Sequence, residues 1–241
     1  MARKTSTKKA GAYHAHRERQ RRRILDAAWK LFDERGIDRV TMAEITAASG
    51  VQPSTMYQYF RNKDEMVWEI VSRLMQEASE RAKAALQGAP NALARITSLL
   101  HFMGSELAED RVKVRFMAQF DAMYARDWPA QRLISLESRI NPEGFKVFSD
   151  LIREGIAEGS LRRDLDPELT MHAVMNAVVG AQRRLASLGE KVEQEYGRPI
   201  HRLFDETVRV LLLGLRAPEP AVRRGARKQA GSKKQNRRRV R

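Results

Sequence analysis

The chain has 241 residues, an apolar fraction of 42%, no cysteine and a formal charge of +15. That allows one large or two small domains with a sizeable core, and it excludes disulfide, zinc-finger and thiol chemistry. The charge sits at the ends: residues 1–23 hold nine Lys/Arg against one Glu (+8), residues 217–241 hold ten against one Glu (+9), and 24–216 is left at −2. The net charge therefore describes two tails that attract polyanions around a nearly neutral body.

Behind the basic N-terminus there is no apolar run of signal-peptide length, and nothing approaches the ~20 apolar residues of a membrane span. A cytoplasmic chain with no membrane segment is expected. Residues 1–16 show no apolar periodicity and read as a disordered basic arm. Such an arm either tracks phosphates or a minor groove, or is a solvated tail. His14 and His16 have no third ligand nearby, so no metal is expected.

From Arg17 a helix begins, with Ile24, Ala27, Ala28, Leu31 and Phe32 as its apolar stripe. Arg35 in the last turn and Gly36 after it are what a helix C-terminus favours. Arg21, Arg22 and Arg23 near the start oppose the helix dipole and are read as meeting a phosphate backbone. Thr41 followed by Glu44 is a capping box, and Val40 with Ile45 completes a hydrophobic staple. Gly50 closes that second helix, and Pro53 suits the first position of a third. The third helix, Pro53 to Phe60, buries Met56 and Phe60 and leaves Ser54, Thr55, Tyr57, Gln58 and Tyr59 on its other sides. A helix this short is unstable alone, so it must be packed on something. Its outward groups form hydrogen bonds but carry no charge, as a helix that reads base edges requires.

The ordered set RRRILDAAWKLFDERGIDRVTMAEITAASGVQPSTMYQYFRNKDEM (residues 21–66) resembles the N-terminal DNA-binding domain of the TetR family of bacterial transcriptional regulators. The matching positions are the A-A-x-x-L-F helix, Gly36, Thr41, Ala47, Gly50-Val51, Thr55, Tyr57, Tyr59-Phe60 and Lys63. Two positions depart from the pattern: Gln52 stands where a capping residue is usual, and Met56 replaces a leucine. The resemblance implies that Thr41 contacts a phosphate, and that Pro53, Ser54, Thr55, Tyr57, Gln58 and Tyr59 face the major groove and its rims. Gln58 is the best base-reading candidate, because an amide pairs bidentately with adenine. Tyr57 and Tyr59 are read as stacking on or bonding to the backbone. Lys63, a cation in the first turn of the next helix, opposes the macrodipole and is read as facing a phosphate.

Helices follow over about 63–87, 91–109, 110–126, 130–138, 142–158 and 166–188, with a last one from Glu193 or Pro199 to Leu215. No segment alternates as a strand. The expected fold is all-α. It comprises a disordered arm (1–16), a three-helix helix-turn-helix DNA-binding domain (17–66), a helical effector-binding and dimerisation domain (67–216), and a disordered basic tail (217–241). In the second domain no Gly-rich phosphate loop or His/carboxylate motif appears, so neither an enzyme nor a cofactor is expected. Met103, Phe116, Gln119, Phe120, Met123, Tyr124, His172 and Asn176 are candidates for lining a largely apolar cavity, with plain core packing as the alternative. The resemblance implies a small-molecule effector there and a homodimer through the last two helices. A dimeric repressor on a near-palindromic double-stranded DNA operator is thus expected. The rival is an effector-independent nucleoid-type protein whose tails supply the affinity, with an enzyme a more distant alternative.

Overall fold

The computed structural model describes residues 3–218, for residues 3–13 and Phe145 the backbone alone. Among them are eleven helices and no strand: α1 Arg3–Arg35, α2 Met42–Ser49, α3 Pro53–Tyr59, α4 Lys63–Ala85, α5 Ala92–Glu109, α6 Arg111–Asp127, α7 Ala130–Ile140, α8 Gly144–Glu158, α9 Pro167–Leu188, α10 Glu190–Tyr196 and α11 Ile200–Leu215. Short polar side chains start several of them. Asn62, Asn91, Asp110 and Asp166 each accept a hydrogen bond from a first-turn N–H of α4, α5, α6 and α9 respectively.

One expectation is corrected and one open alternative is resolved. The first helix starts at Arg3, so residues 3–16 are helical rather than a disordered arm. This extension is rich in Lys, Arg and Ala, which tolerate a helix well, but it has no apolar stripe, and periodicity is blind to such a helix. Of the two starts expected for the last helix, the one at Pro199 holds, because Glu193 belongs to a separate short helix, α10. Gly197, at φ 62°, ends α10 in the left-handed region. Pro199 then precedes α11, whose first N–H, from Ile200, donates to Glu193 Oε1 at 3.0 Å. The tail expected over 217–241 lies outside the described residues from Glu219 onward.

Two apolar cores hold the helices. The first contains Ile24, Ala28 and Phe32 of α1, Ile45 of α2, Met56 and Phe60 beside α3, and Met66, Val67, Ile70, Val71 and Leu74 of α4. It also takes in Phe116, Phe120 and Met123 of α6 and Leu136 of α7. Full burial of each such side chain is worth about 1.5–3 kcal/mol, so this core fastens the N-terminal helices to α4 and α6 together. The second core is formed by α5, α8, α9, α10 and α11, around Leu100, Leu161, Val178, Val192, Phe204 and Val208. The packing boundary runs through α6, whose Val114 belongs to the second core and whose Phe116, Phe120 and Met123 belong to the first.

An aromatic post completes the first core. Trp68 of α4 and Trp128 meet edge to face at 5.5 Å, and Phe120 lies 5.6 Å from Trp128. Arg132 of α7 is clamped between the two indoles, with its guanidinium 4.3 Å and 4.5 Å from the ring centres. Gly50 has φ 63° and ends α2, and a Cβ there would lie 2.6 Å from Arg23 Nη2. Gly50→Ala is expected to destabilise the protein by roughly 1 kcal/mol, from the left-handed conformation. The change should appear as a lower urea midpoint at unchanged slope, and an unchanged midpoint would contradict this account.

Candidate nucleic-acid interface and cavity

The candidate interface is built on the capping box. Glu44 N donates to Thr41 Oγ1 at 3.3 Å, and Thr41 N donates back to Glu44 Oε2 at 2.8 Å. Arg35 at the end of α1 donates to the free Glu44 oxygen at 2.7 Å, which ties α1 to the start of α2. The Thr41 backbone and hydroxyl, helped by Arg35, hold the Glu44 carboxyl down to about 2. After α2, Gln52 makes no side-chain cap to α3, so Pro53 and tertiary packing start that helix. Met56 and Phe60 are fully buried and anchor it. Pro53, Ser54 and Gln58 are exposed, and so is Tyr57 at 59%. Thr55 and Tyr59 are half-buried, and Arg17 lies 5.6 Å above the Tyr59 ring. Ser54, Tyr57 and Gln58 thus form an open, uncharged polar face.

Two cations have inward roles that their spacing did not reveal. Lys63 Nζ donates to the carbonyls of Ile37 at 2.7 Å and Asp38 at 3.4 Å. It is a strut between α4 and the α1–α2 connection. Arg21 pairs with Glu69 of α4 and lies 4.5 Å over the Phe60 ring, so it packs α1 on α4 rather than facing solvent. Arg22 and Arg23 are exposed.

Above this unit lies a cavity of about 540 Å³ between α4, α5, α6, α7, α8 and α9. Of the side chains expected to line it, Met103, Phe120 and Asn176 do. Phe116 and Met123 are instead spent in the first core, because they lie on the α6 face turned toward α1. Gln119 Oε1 accepts from Ile37 N at 2.9 Å, and Tyr124 stacks on Phe120 at 5.9 Å; neither lines the cavity. His172 is exposed and also away from the lining, and its carbonyl accepts from Asn176 Nδ2 at 2.9 Å. The helical stripe through 116, 120 and 123 faces inward as expected, but only Phe120 reaches the cavity. Missed were Met75, Met117, Met171 and Met175, along with Phe102 and Phe148. Methionine on inward stripes of four different helices was the available signal. Gln182 closes the wall, donating to the Met103 carbonyl at 2.7 Å. Among the described residues no group of three His, Asp or Glu side chains is placed to hold a metal, and no helix is long and apolar enough to cross a membrane.

Glu44 gives a pH prediction. Its carboxyl is depressed in the folded state, so its contribution to stability is present above the usual value of 4.5 and is lost as pH falls toward about 2. The group is solvent-exposed, so the effect is small. Glu44→Gln should flatten the acid limb of stability across that window; a limb identical to wild type would contradict the coupling.

Residues 24–70 match the family model for bacterial regulatory proteins of the tetR family. The HTH-type transcriptional repressor KstR2 of Mycolicibacterium smegmatis is 29% identical over 182 residues, covering 73% of this chain and 86% of its own. A putative transcriptional regulator from Saccharomonospora viridis, solved in complex with choline, superposes with TM-score 0.67 at 18% identity, over 83% of this chain and 100% of its own. The repressor FadR of Thermus thermophilus, in complex with lauroyl-CoA, does so at 0.55 with 19% identity, over 85% and 100%. At these identities the two structures establish the fold. The family match identifies residues 24–70, within α1–α4, as a domain of the tetR family of bacterial regulatory proteins, and the chain is similar to a transcriptional repressor across most of its length.

Proposed function

We propose that the protein is a homodimeric cytoplasmic repressor that reads a near-palindromic operator through α3 and is released from it by a small molecule bound in the cavity. The observation that carries this reading is the two-sided use of α6. One side, with Val114, Met117, Phe120 and Asp121, lines the cavity. The other grips the reading head, where Gln119 takes the Ile37 N–H and Arg115 pairs with Asp33 of α1. A ligand that shifts α6 therefore acts on the α1–α2 connection directly. It releases DNA only by the amount that it prefers the non-binding arrangement. The choline and lauroyl-CoA complexes of the structural neighbours support a small-molecule role for such a cavity.

In this reading Gln58 contacts a base, Tyr57, Ser54 and Thr55 meet the groove and its rims, and Thr41, Pro53 and Tyr59 lie at the backbone. Lys63 acts by position, holding α4 to the connection. Residues 217–241 add sequence-independent affinity with a steep salt dependence. The dimer forms through α9 and α11. Leu169 (69% exposed), Ala173, Ala177 and Gly180 run along one open side of α9, and Val210, Leu213 and Gly214 along α11. Small residues beside bare aliphatic ones let helices approach closely. Two-fold symmetry then sets the two α3 helices about one DNA turn apart.

Operator fragments selected from genomic DNA supply the test. Tyr57→Ala and Gln58→Ala should each weaken operator binding by roughly 1–3 kcal/mol, Gln58→Ala with relaxed discrimination at one base pair, and with helicity retained. Wild-type affinity in both variants would refute the assignment of α3. Light scattering should give about twice the 27.6 kDa chain mass. Leu213→Asp should shift it toward the monomer, and a Leu213→Asp dimer of full strength would place the interface elsewhere.

A further inference from the structure

The cavity has a charge pattern that bears on what it binds; this step rests on its reading as the effector site. Seven charged side chains contribute to the lining: Glu77, Arg81, Glu106, Lys113, Asp121, Glu137 and Arg183. Six are paired. Arg81 bonds to Glu106, Lys113 lies 3.8 Å from Glu77, and Arg183 is paired with Asp121. Glu137 of α7 stands apart: half-buried, with no described residue donating to or paired with its carboxyl. Burial raises it above the usual carboxylate range. The helix ends beside it do not compensate either. Ile140 at the C-terminal end of α7 and Gly144 at the N-terminal end of α8 both line this corner, so their opposite partial charges offset one another.

The rest of the wall is soft and apolar, with Met75, Met103, Met117, Met171 and Met175 around Phe120 and Phe148. Aromatic faces and polarizable thioethers both tolerate a cation, and rings attract one directly. A polyanionic head group, by contrast, finds no unpaired cation in the lining. We infer that the cavity takes an amphiphilic monocation, an apolar body carrying one quaternary or protonated centre, with the Glu137 carboxylate as its counter-ion. The ligand's charge pairs with the one unbalanced group in the wall while its body fills the Met/Phe surface. A neutral ligand of the same shape keeps only the second contribution.

Three probes of similar shape separate these contributions in calorimetry on the full-length protein: tetraphenylphosphonium, triphenylphosphine oxide and tetraphenylborate. The expected order is cation, then neutral, then anion. Glu137→Gln, nearly isosteric, should lower cation affinity by roughly tenfold or more, as removal of one partner of a partly desolvated charge pair does. It should leave the neutral probe and operator binding unchanged. Leu133→Trp, which narrows the same wall, should reduce binding of all three and so confirm that they occupy this cavity. Equal or tighter binding of the neutral or anionic probe by wild type overturns the inference, as does a cation preference that survives Glu137→Gln. So does failure of all three to bind a protein that still binds its operator, which leaves the regulator reading intact. Loss of operator selectivity in the unliganded wild type would instead strike the regulator reading.

Discussion

The backbone of Ile37 is the joint on which the arrangement depends. Its N–H is taken by Gln119 of α6 and its carbonyl by Lys63 of α4, while its side chain is buried in the first core. Neither backbone group of Ile37 belongs to a helix; the carbonyl also accepts from Val40 N at 3.4 Å, whereas the N–H takes its partner from across the fold. Gln119 and Lys63 both come from helices that also bear on the cavity. The α1–α2 connection is therefore suspended from the elements that a ligand touches, and the orientation of α2 and α3 follows from it.

This division of labour also explains the uncharged reading surface. Arg21 and Lys63 would add positive charge to a DNA-facing side, yet both are used internally, against Glu69 and Phe60 and against the Ile37 and Asp38 carbonyls. The exposed groups of α3 are Ser54, Tyr57 and Gln58, which distinguish base edges better than they attract phosphates. In the proposed function, selection thus belongs to α3, and bulk attraction to the basic ends of the chain.

The sharing of α4 and α6 between the first core and the cavity has a mechanical consequence. The aromatic post of Trp68, Trp128 and Phe120, with Arg132 between the indoles, is where the first core borders the cavity through Phe120. A close-packed contact of this kind passes on a displacement rather than absorbing it. The open stripes of α9 and α11 lie on elements of the second core, so in the proposed dimer the reading heads are carried at a distance from the interface.

The sequence by itself determined the helical class, most helix limits, the Thr41–Glu44 box, the left-handed end at Gly50 and the buried pair Met56 and Phe60. Each of these is a local matter of caps, periodicity and backbone freedom within a few residues. The family resemblance over 21–66 was legible for the same reason, since that unit is dense in such signals. Tertiary structure alone decided which interior an apolar stripe faces, sending Phe116 and Met123 to the reading head and Phe120 to the border of both. It alone turned Lys63 and Arg21 inward and left Glu137 unpaired, because a charge's partner lies across the fold and its spacing along the chain does not encode it. The basic extension of α1 stayed unreadable for the opposite reason: its sequence has no apolar periodicity from which a helix can be read.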